Sequence, residues 1–154
     1  HKKLYYEIRD EVPEEKYIVP LGKAVIRREG AHVTVVTYSA MVHLALRAAE
    51  TLKAEGIELE VVDLRSLIPL DIETMLASFK KTNRVIILHE APIRGGVGAE
   101  LASIICEQAF DSLAAPPVRI AAKMTPIPLA PVLEDFYLPS EKDVVDAAKR
   151  LVQY

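Results

Sequence analysis

The chain has 154 residues, 51% of them hydrophobic, with 19 basic and 22 acidic side chains and a formal net charge of −3. This near balance excludes the strong positive field with which proteins attract nucleic acid or anionic membranes, and the apolar runs are shorter than the ~20 residues that cross a bilayer. The single cysteine excludes an intrachain disulfide framework and a cysteine-built metal site, which favours a reducing compartment. Length and composition therefore predict one globular domain.

The first 21 residues have the composition of a segment between domains. The chain opens on His1-Lys-Lys-Leu-Tyr without an initiator methionine or a targeting segment, and residues 7–20 are rich in Glu and Pro. Such a composition, without periodic apolar positions, is typical of a linker. We expect residues 1–21 to be the end of a preceding domain with its linker, and residues 22–154 to form one domain.

Beyond residue 22, strands and helices alternate. Residues 23–29 and 32–38 are strand-like, and Gly30 separates them, so they form a hairpin or the first is an antiparallel strand of a larger sheet. Ser39 is predicted to cap a helix that ends near residue 54, before Gly56.

The rest of the chain repeats this alternation. The predicted elements are a strand at 59–63, a helix from Asp71 to about 80, strands at 84–88 and 118–122 around a helix at 99–110, a proline-rich irregular segment from 126 to 131, and a helix from Ser140 to 151. Short apolar strands separated by helices predict the α/β class. We expect a three-layer α/β/α domain whose sheet of about five strands is mostly parallel, with one antiparallel strand.

Residues 84–100 have the pattern of a functional site. His89 and Glu90 follow an apolar strand, and Gly95, Gly96 and Gly98 precede the next helix. Such a glycine turn can bind a phosphate, but a tight strand-to-helix turn uses the same glycines, and the dinucleotide-binding spacing is incomplete. Neighbouring strand residues point to opposite faces, so His89 and Glu90 do not converge on one substrate. We predict a structural turn and a packing or interface role for the pair.

Other reactive side chains give weaker signals. His43 shares a helical face with Arg47 and Glu50 and is predicted to be solvated. Cys106 stands in an apolar helix and is predicted to be a buried, unreactive thiol. Ser39 lacks the flanking glycines of a nucleophile elbow, and the sequence has no pair of residues at zinc-ligand spacing. These residues by themselves indicate a scaffold.

Five motifs in fixed order carry a family resemblance that covers nearly the whole chain. They are Val33-Thr-Val-Val-Thr-Tyr-Ser39, Glu60-Val-Val-Asp-Leu-Arg-Ser-Leu-Ile-Pro-Leu-Asp71, Lys81-Thr-Asn-Arg-Val-Ile-Ile-Leu-His-Glu-Ala-Pro92, Gly95-Gly-Val-Gly-Ala-Glu100 and Pro126-Ile-Pro128. In this order they resemble the C-terminal, transketolase C-terminal-like domain of the β subunit of 2-oxo acid dehydrogenase E1 components, of the pyruvate or branched-chain type. Residues 1–21 then look like the end of that subunit's N-terminal, pyrimidine-binding domain and the linker.

The resemblance implies a place in a larger enzyme. Such enzymes use thiamine diphosphate and magnesium to decarboxylate a 2-oxo acid and to acylate the lipoyl group of an E2 partner. Because that cofactor lies between the α subunit and the N-terminal domain of β, no catalytic, cofactor-binding or metal-binding residue is carried over to this chain. The implied role is assembly with an E1 α subunit and a second β subunit, in the cytoplasm of a bacterium or archaeon or inside an organelle. His89, Glu90 and Arg94 are the interface candidates at the glycine turn.

The resemblance also implies a surface that docks E2, with departures from the family pattern. Many relatives have an acidic residue where this chain has Ala114, and Met124 replaces a usual aspartate. Asp111 and the C-terminal carboxylate of Tyr154 are the remaining candidates for a charged contact with E2.

Two other readings remain open. The chain also resembles the equivalent domain of other thiamine enzymes, such as transketolase or deoxyxylulose phosphate synthase. It could instead be a self-sufficient small-molecule-binding module that uses the turn at Gly95 to Gly98. Within the first reading, pyruvate, branched-chain 2-oxo acids and acetoin all remain candidate substrates.

Overall fold

A computed structural model describes residues 4–5, 8–9 and 11–154 of the chain. In chain order, its elements are β1 (Val25–Arg28), β2 (Val33–Thr37), α1 (Ala40–Lys53), β3 (Leu59–Asp63), α2 (Ile72–Thr82), β4 (Val85–Pro92), α3 (Gly98–Ala109), a 3₁₀ turn (Phe110–Ser112), β5 (Val118–Ala122), α4 (Pro131–Tyr137) and α5 (Glu141–Leu151). The predicted linker, as far as it is described, has no strand and is largely exposed.

The strands form one five-stranded sheet in the order β1-β3-β2-β4-β5. Strands β2, β3, β4 and β5 are parallel, and β1 is antiparallel to β3. The predicted fold class is therefore confirmed. Of the two arrangements considered for β1, the hairpin is wrong: β3 lies between β1 and β2, because the crossover through α1 returns the chain to that side of β2.

Helices cover both faces of the sheet. Alternate residues of the buried strands point to opposite faces, so Ile86 and Leu88 pack with α1 and α5, whereas Ile87 packs with α2 and α3. Phe79 of α2 is fully buried and is among the largest side chains of the core between the sheet, α2 and α3. Burial of a side chain of this size contributes about 1.5–3 kcal/mol.

Helix α1 leaves β2 towards one side of the sheet, and β4 lies on the other side of β2. The carboxyl ends of β2 and β4 are thus a topological switch point, where open α/β sheets place their sites.

Three local predictions are wrong. Ser39 stands at the predicted N-cap position of α1, but with a φ of 58° its side chain makes no capping hydrogen bond. Strand β4 continues past Leu88 to Pro92, with a bulge opposite β5. The segment around Pro126 and Pro131 is not wholly irregular: Pro131 begins α4, because its fixed φ suits a first helical position.

Asp71 connects the segment before β1 with the start of α2 by hydrogen bonds. Its carboxylate caps α2 by accepting from the Thr74 backbone N–H at 3.1 Å, and it accepts from the Ala24 N–H at 3.0 Å. Burial alone would raise the pKa of Asp71, but these hydrogen bonds and that of the Thr74 hydroxyl outweigh it, so the pKa is lowered.

We expect Asp71→Ala to lower the free energy of unfolding at neutral pH by about 2–3 kcal/mol, because it removes a cap and leaves the Ala24 N–H without its acceptor. Since the folded pKa is depressed, this contribution is complete above the ordinary aspartate pKa of about 4 and is lost as pH falls through the folded value. Urea unfolding of both proteins at several pH values measures it. Glu73→Ala, an exposed change in the same helical turn, is the control, and a constant difference down to acid pH would contradict the assignment.

Candidate functional site

The glycine turn that follows β4 packs directly on His89. The His89 ring is 1% exposed, and a Cβ built on Gly98 would lie 2.3 Å from Nε2, while one on Gly96 would lie 2.6 Å from Cε1. Only glycine leaves room for the ring at these two positions. At Gly95 the reason is different, since a φ of 75° favours glycine there. The structural reading of the turn therefore accounts for all three glycines.

His89 is neutral in this position. Its Nδ1 lies 3.0 Å from the Ala91 carbonyl oxygen, which can only accept, so Nδ1 carries the proton and Nε2 faces Gly98 without one. Burial lowers the pKa of His89, and the charge of Arg119 lowers it further, against the opposing effect of the Ala91 carbonyl. The ring therefore holds the turn as an uncharged side chain. As an interface candidate, His89 needs revision: its ring is covered by its own domain, so any contact with a partner goes through the turn that it supports.

Glu90 lies on the other face of β4, as the alternation predicts. It is half-buried beside α1, and its charge raises the pKa of Tyr38 together with the larger effect of burial there. Glu90 also borders a cavity of about 510 Å³ at the switch point, with His43 and Arg47 of α1 and Glu141 of α5. His89 and Glu90 thus do not share a position where a substrate could meet both. The pair has the geometry of packing and surface contact.

Strand β5 anchors the turn from the side. The Ile93 N–H donates to the Ala122 carbonyl oxygen at 3.2 Å, and the Arg119 guanidinium donates to the Ile93 carbonyl oxygen at 3.1 Å. Arg94, the next residue, is exposed. The anchored backbone therefore presents the Arg94 side chain at a defined place beyond the carboxyl ends of the strands.

The interface candidates fall at opposite ends of the strands. Asp111 and Ala114, both exposed, lie between the end of α3 and the start of β5, and the Ala114 N–H donates to the Asn83 carbonyl oxygen at 2.9 Å. Tyr154, 72% exposed, follows α5, whose last residue Leu151 accepts from Arg84 at the start of β4. These residues therefore lie at the amino ends of the strands, roughly 16 Å from Glu90 and Arg94 along a five-residue strand.

Two other side chains depart from their predicted environments. His43 is half-buried at the cavity rather than solvated, because α5 and the chain before it cover that end of α1. Cys106 is exposed rather than buried. It follows Ile104 and Ile105 in sequence, but only those two point to the sheet, since the next helical position rotates by about 100° into solvent.

Sequence reasoning missed a buried charge in β3. Glu60 is fully buried and accepts from the Ser78 hydroxyl, pairs with Lys81, and accepts from the Gly30 N–H at 3.3 Å. Lys81 also pairs with Glu29. A carboxylate within an otherwise apolar strand of a covered sheet was the available signal.

Within the described ranges, no three His, Cys, Asp or Glu side chains are grouped so that they could hold a metal ion, and no helix is long and apolar enough to cross a membrane. We assign no step of cofactor chemistry to the described residues.

The fold and this turn agree with a comparison against known families. Residues 22–144 match the family described as "Transketolase, C-terminal domain". The chain belongs to the transketolase C-terminal domain family.

Curated relatives of this transketolase C-terminal domain are named "Pyruvate dehydrogenase E1 component subunit beta". The protein of Bacillus subtilis (strain 168) is 45% identical over all 154 residues, and that of Staphylococcus epidermidis (strain RP62A) is 43% identical. The chain spans 47% of the length of each of these relatives.

Solved structures show the same fold. A chain titled "Split gene transketolase, inactive beta4 tetramer" superposes with a TM-score of 0.77 at 30% identity, over 94% of this chain and 46% of that one. A 2-oxoglutarate:ferredoxin oxidoreductase from Magnetococcus marinus superposes with a TM-score of 0.56 at 17% identity, over 85% of this chain and 19% of that one, and shows the fold alone.

Proposed function

We propose that the chain is the assembly and partner-docking domain of the β subunit of a thiamine-diphosphate-dependent 2-oxo acid dehydrogenase E1. The complete enzyme decarboxylates a 2-oxo acid and acylates the lipoyl group of E2, and it works in the cytoplasm. The observation that carries this proposal is the 45% identity to a pyruvate dehydrogenase E1 β subunit over the entire chain. The names of the relatives favour pyruvate over branched-chain acids and acetoin as the substrate.

The assembly role has support from the surface of the domain. Ile127, Leu129, Val132 and Phe136 are large apolar side chains, each more than two-thirds exposed, along α4 and the segment before it. Contiguous exposed apolar residues typically mark surfaces that another protein or domain covers. We propose that the E1 α subunit, a second β subunit and the rest of the β subunit are the partners, and that thiamine diphosphate and magnesium are held outside this domain.

Glu90 and Arg94 are proposed to contact a neighbouring subunit or domain at the carboxyl ends of the strands. His89 supports the turn from within the domain. Asp111 and the Tyr154 carboxylate are proposed to contact E2 at the amino ends of the strands. Their exposure and their position around Ala114 support a charged contact there.

A transketolase is the second candidate, since a solved split-gene transketolase is 30% identical. The higher identity to E1 β subunits, over a greater share of this chain, favours the E1 reading. The small-molecule-binding module has less support, because the glycine turn on which it depended holds His89.

Two measurements test the proposal. The complete gene product, produced with an E1 α subunit, should catalyse 2-oxo acid-dependent reduction of an artificial acceptor when thiamine diphosphate and magnesium are added. Turnover of a ketose phosphate instead would identify a transketolase. Calorimetry on the 154-residue chain should show no binding of thiamine diphosphate, and saturable binding would contradict a cofactor site elsewhere.

Arg94→Glu is expected to weaken subunit association about 10-fold, because reversal of an interface charge opposes the partner's potential. Sedimentation of the complete gene product with its α partner measures the association. Decarboxylation should stay normal at saturating partner concentration. Arg27→Glu, an equally exposed change on β1, is the control, and normal assembly with lost decarboxylation would overturn the interface role.

A further inference from the structure

The glycine turn after β4 is built around an uncharged histidine ring. Nδ1 of His89 donates to the Ala91 carbonyl oxygen at 3.0 Å, and the residue is 1% exposed. Nε2 faces Gly98, where a Cβ would lie 2.3 Å away. A second proton on the ring would therefore point at a Cα, which cannot accept a hydrogen bond, in a place almost closed to water. The closed turn thus accommodates the neutral ring better than the charged one.

Arg119 of β5 is a positive charge close enough to affect the ring. Burial lowers the pKa of His89 most, the Arg119 charge lowers it further, and the Ala91 carbonyl opposes them. The Arg119 guanidinium is itself held in place, because it donates to the Ile93 carbonyl oxygen at 3.1 Å. Protonation of His89 would thus place two positive charges beside the same short stretch of backbone.

The other titratable groups around the turn do not offset a charge on the ring. Glu90 lies on the opposite face of β4, and Glu100 of α3 is exposed. Tyr38, which packs with the same core at the end of β2, stays uncharged because burial raises its pKa. Lys123, after β5, is positive and donates to the Phe136 carbonyl oxygen. Within the described part of the chain, a protonated ring therefore gains no ion-pair partner in the closed turn.

We propose that His89 is a pH-sensitive switch of the glycine turn: protonation of the ring opens the turn and displaces Arg94 from its place beyond the strand ends. In the open turn, water reaches the charged ring, and the ring moves away from Arg119. The consequence for assembly rests on the proposed function, in which Arg94 contacts a neighbouring subunit or domain. Association through this turn should then weaken as pH falls below the ordinary histidine value of about 6.5.

The size of the effect follows from the linkage between proton binding and opening. The open turn exposes a histidine with a pKa of about 6.5, whereas the closed turn holds the pKa of His89 lower. Protons therefore favour the open turn in the window between the two values, and the closed turn is most stable above that window. At about pH 5.5, roughly one unit below the open-state value, the equilibrium constant for opening rises by up to about 10-fold relative to that at about pH 7.5.

Hydrogen exchange of the complete gene product, at saturating concentrations of its α partner, tests the switch at about pH 7.5 and about pH 5.5. The protection factor of an amide is its intrinsic exchange rate at that pH divided by the observed rate, so a turn that does not open gives equal values. Amides of residues 93–101 should lose protection by about 3- to 10-fold at the lower pH. Those of α5, which contains no histidine, should keep their protection.

His89→Gln removes the titrating group and retains a side chain that can donate to the Ala91 carbonyl oxygen. Its turn should therefore have equal protection factors at the two pH values. His43→Gln, which replaces the half-buried histidine of α1, is the matched control and should lose protection as the unaltered protein does. A loss of protection that persists in His89→Gln would overturn the assignment to this ring.

The unaltered protein decides the case in which His89→Gln fails to fold, because equal protection of residues 93–101 at both pH values would overturn the switch. Arg119→Gln, which removes the neighbouring charge, should then show a smaller pH-dependent loss of protection than the unaltered protein. An unchanged loss in this variant would contradict the electrostatic cause.

Sedimentation of the complete gene product with its α partner separates this inference from the proposed function. Association that weakens at about pH 5.5 in the unaltered protein, but not in His89→Gln, would support both. A turn that opens without any change in association would uphold the switch and contradict the role of the turn in assembly. Constant protection of the turn in a protein that assembles would overturn the switch alone.

Discussion

Gly98→Ala is expected to lower the free energy of unfolding by about 2–3 kcal/mol, in spite of the higher helix propensity of alanine. The new methyl group would lie 2.3 Å from His89 Nε2 and 3.3 Å from Ile87 Cγ2. Neither neighbour is the free end of a flexible side chain, because both are buried. The turn must therefore move away from β4, and urea unfolding should show the loss directly.

A second substitution separates this clash from other effects at Gly98. His89→Ala alone leaves a cavity and should also destabilise the domain, but in the double variant the alanine at position 98 partly fills that space. The double variant should thus lose at least about 1 kcal/mol less than the sum of the single losses. Gly56→Ala, where nothing lies within 4 Å of the new Cβ but φ is 77°, measures for comparison the cost of backbone strain without a clash. Additive losses for His89→Ala and Gly98→Ala would contradict the contact.

Lys81→Met is expected to cost about 2–3 kcal/mol, because it leaves the fully buried Glu60 carboxylate without its cation. The value is below that typical of a fully buried pair, since the Lys81 side chain is 46% exposed and water can reach the site. Urea unfolding at neutral pH measures the loss. Lys80→Met, an exposed lysine on the same helix, should change stability little.

The double variant Glu60→Gln with Lys81→Met tests the cause. It removes the charge together with its partner and keeps an acceptor for the Ser78 hydroxyl, so it should recover at least about 1 kcal/mol relative to Lys81→Met alone. A double variant as unstable as Lys81→Met would mean that packing of the lysine stem, and not the carboxylate charge, accounts for the cost.

The elements that sequence reasoning placed correctly depend on local signals. Strand β2 is a short run of β-branched residues, and β3 has two adjacent valines at its centre. Both strands are buried on both faces, and such segments predict strands without reference to the rest of the fold. The capping pattern at Ser140 likewise predicted the start of α5, where a reciprocal capping box is found. The predicted strand-to-helix turn is present as well, and Gly96 and Gly98 pack there on the His89 ring.

The errors concern residues whose surroundings come from distant parts of the chain. Cys106 is exposed because α3 packs on the sheet through the side that carries Ile104 and Ile105, and His43 is half-buried because α5 and the chain before it lie against that end of α1. The same holds for Glu60, whose partners Ser78 and Lys81 belong to the following helix. Periodicity indicates which face is apolar but not what lies opposite a given position.

The amino-acid sequence by itself determined the α/β class, the five strands, and the ordered motifs that identify the family, since each depends on residues close together in the chain. The tertiary structure decided the strand order, with β3 between β1 and β2 and β5 beside β4. It also decided that His89 supports the glycine turn from within, while Glu90 and Arg94 remain nearer the surface. The physical reason is that burial and edge exposure are sums over contacts between segments far apart in sequence, and no local pattern contains them.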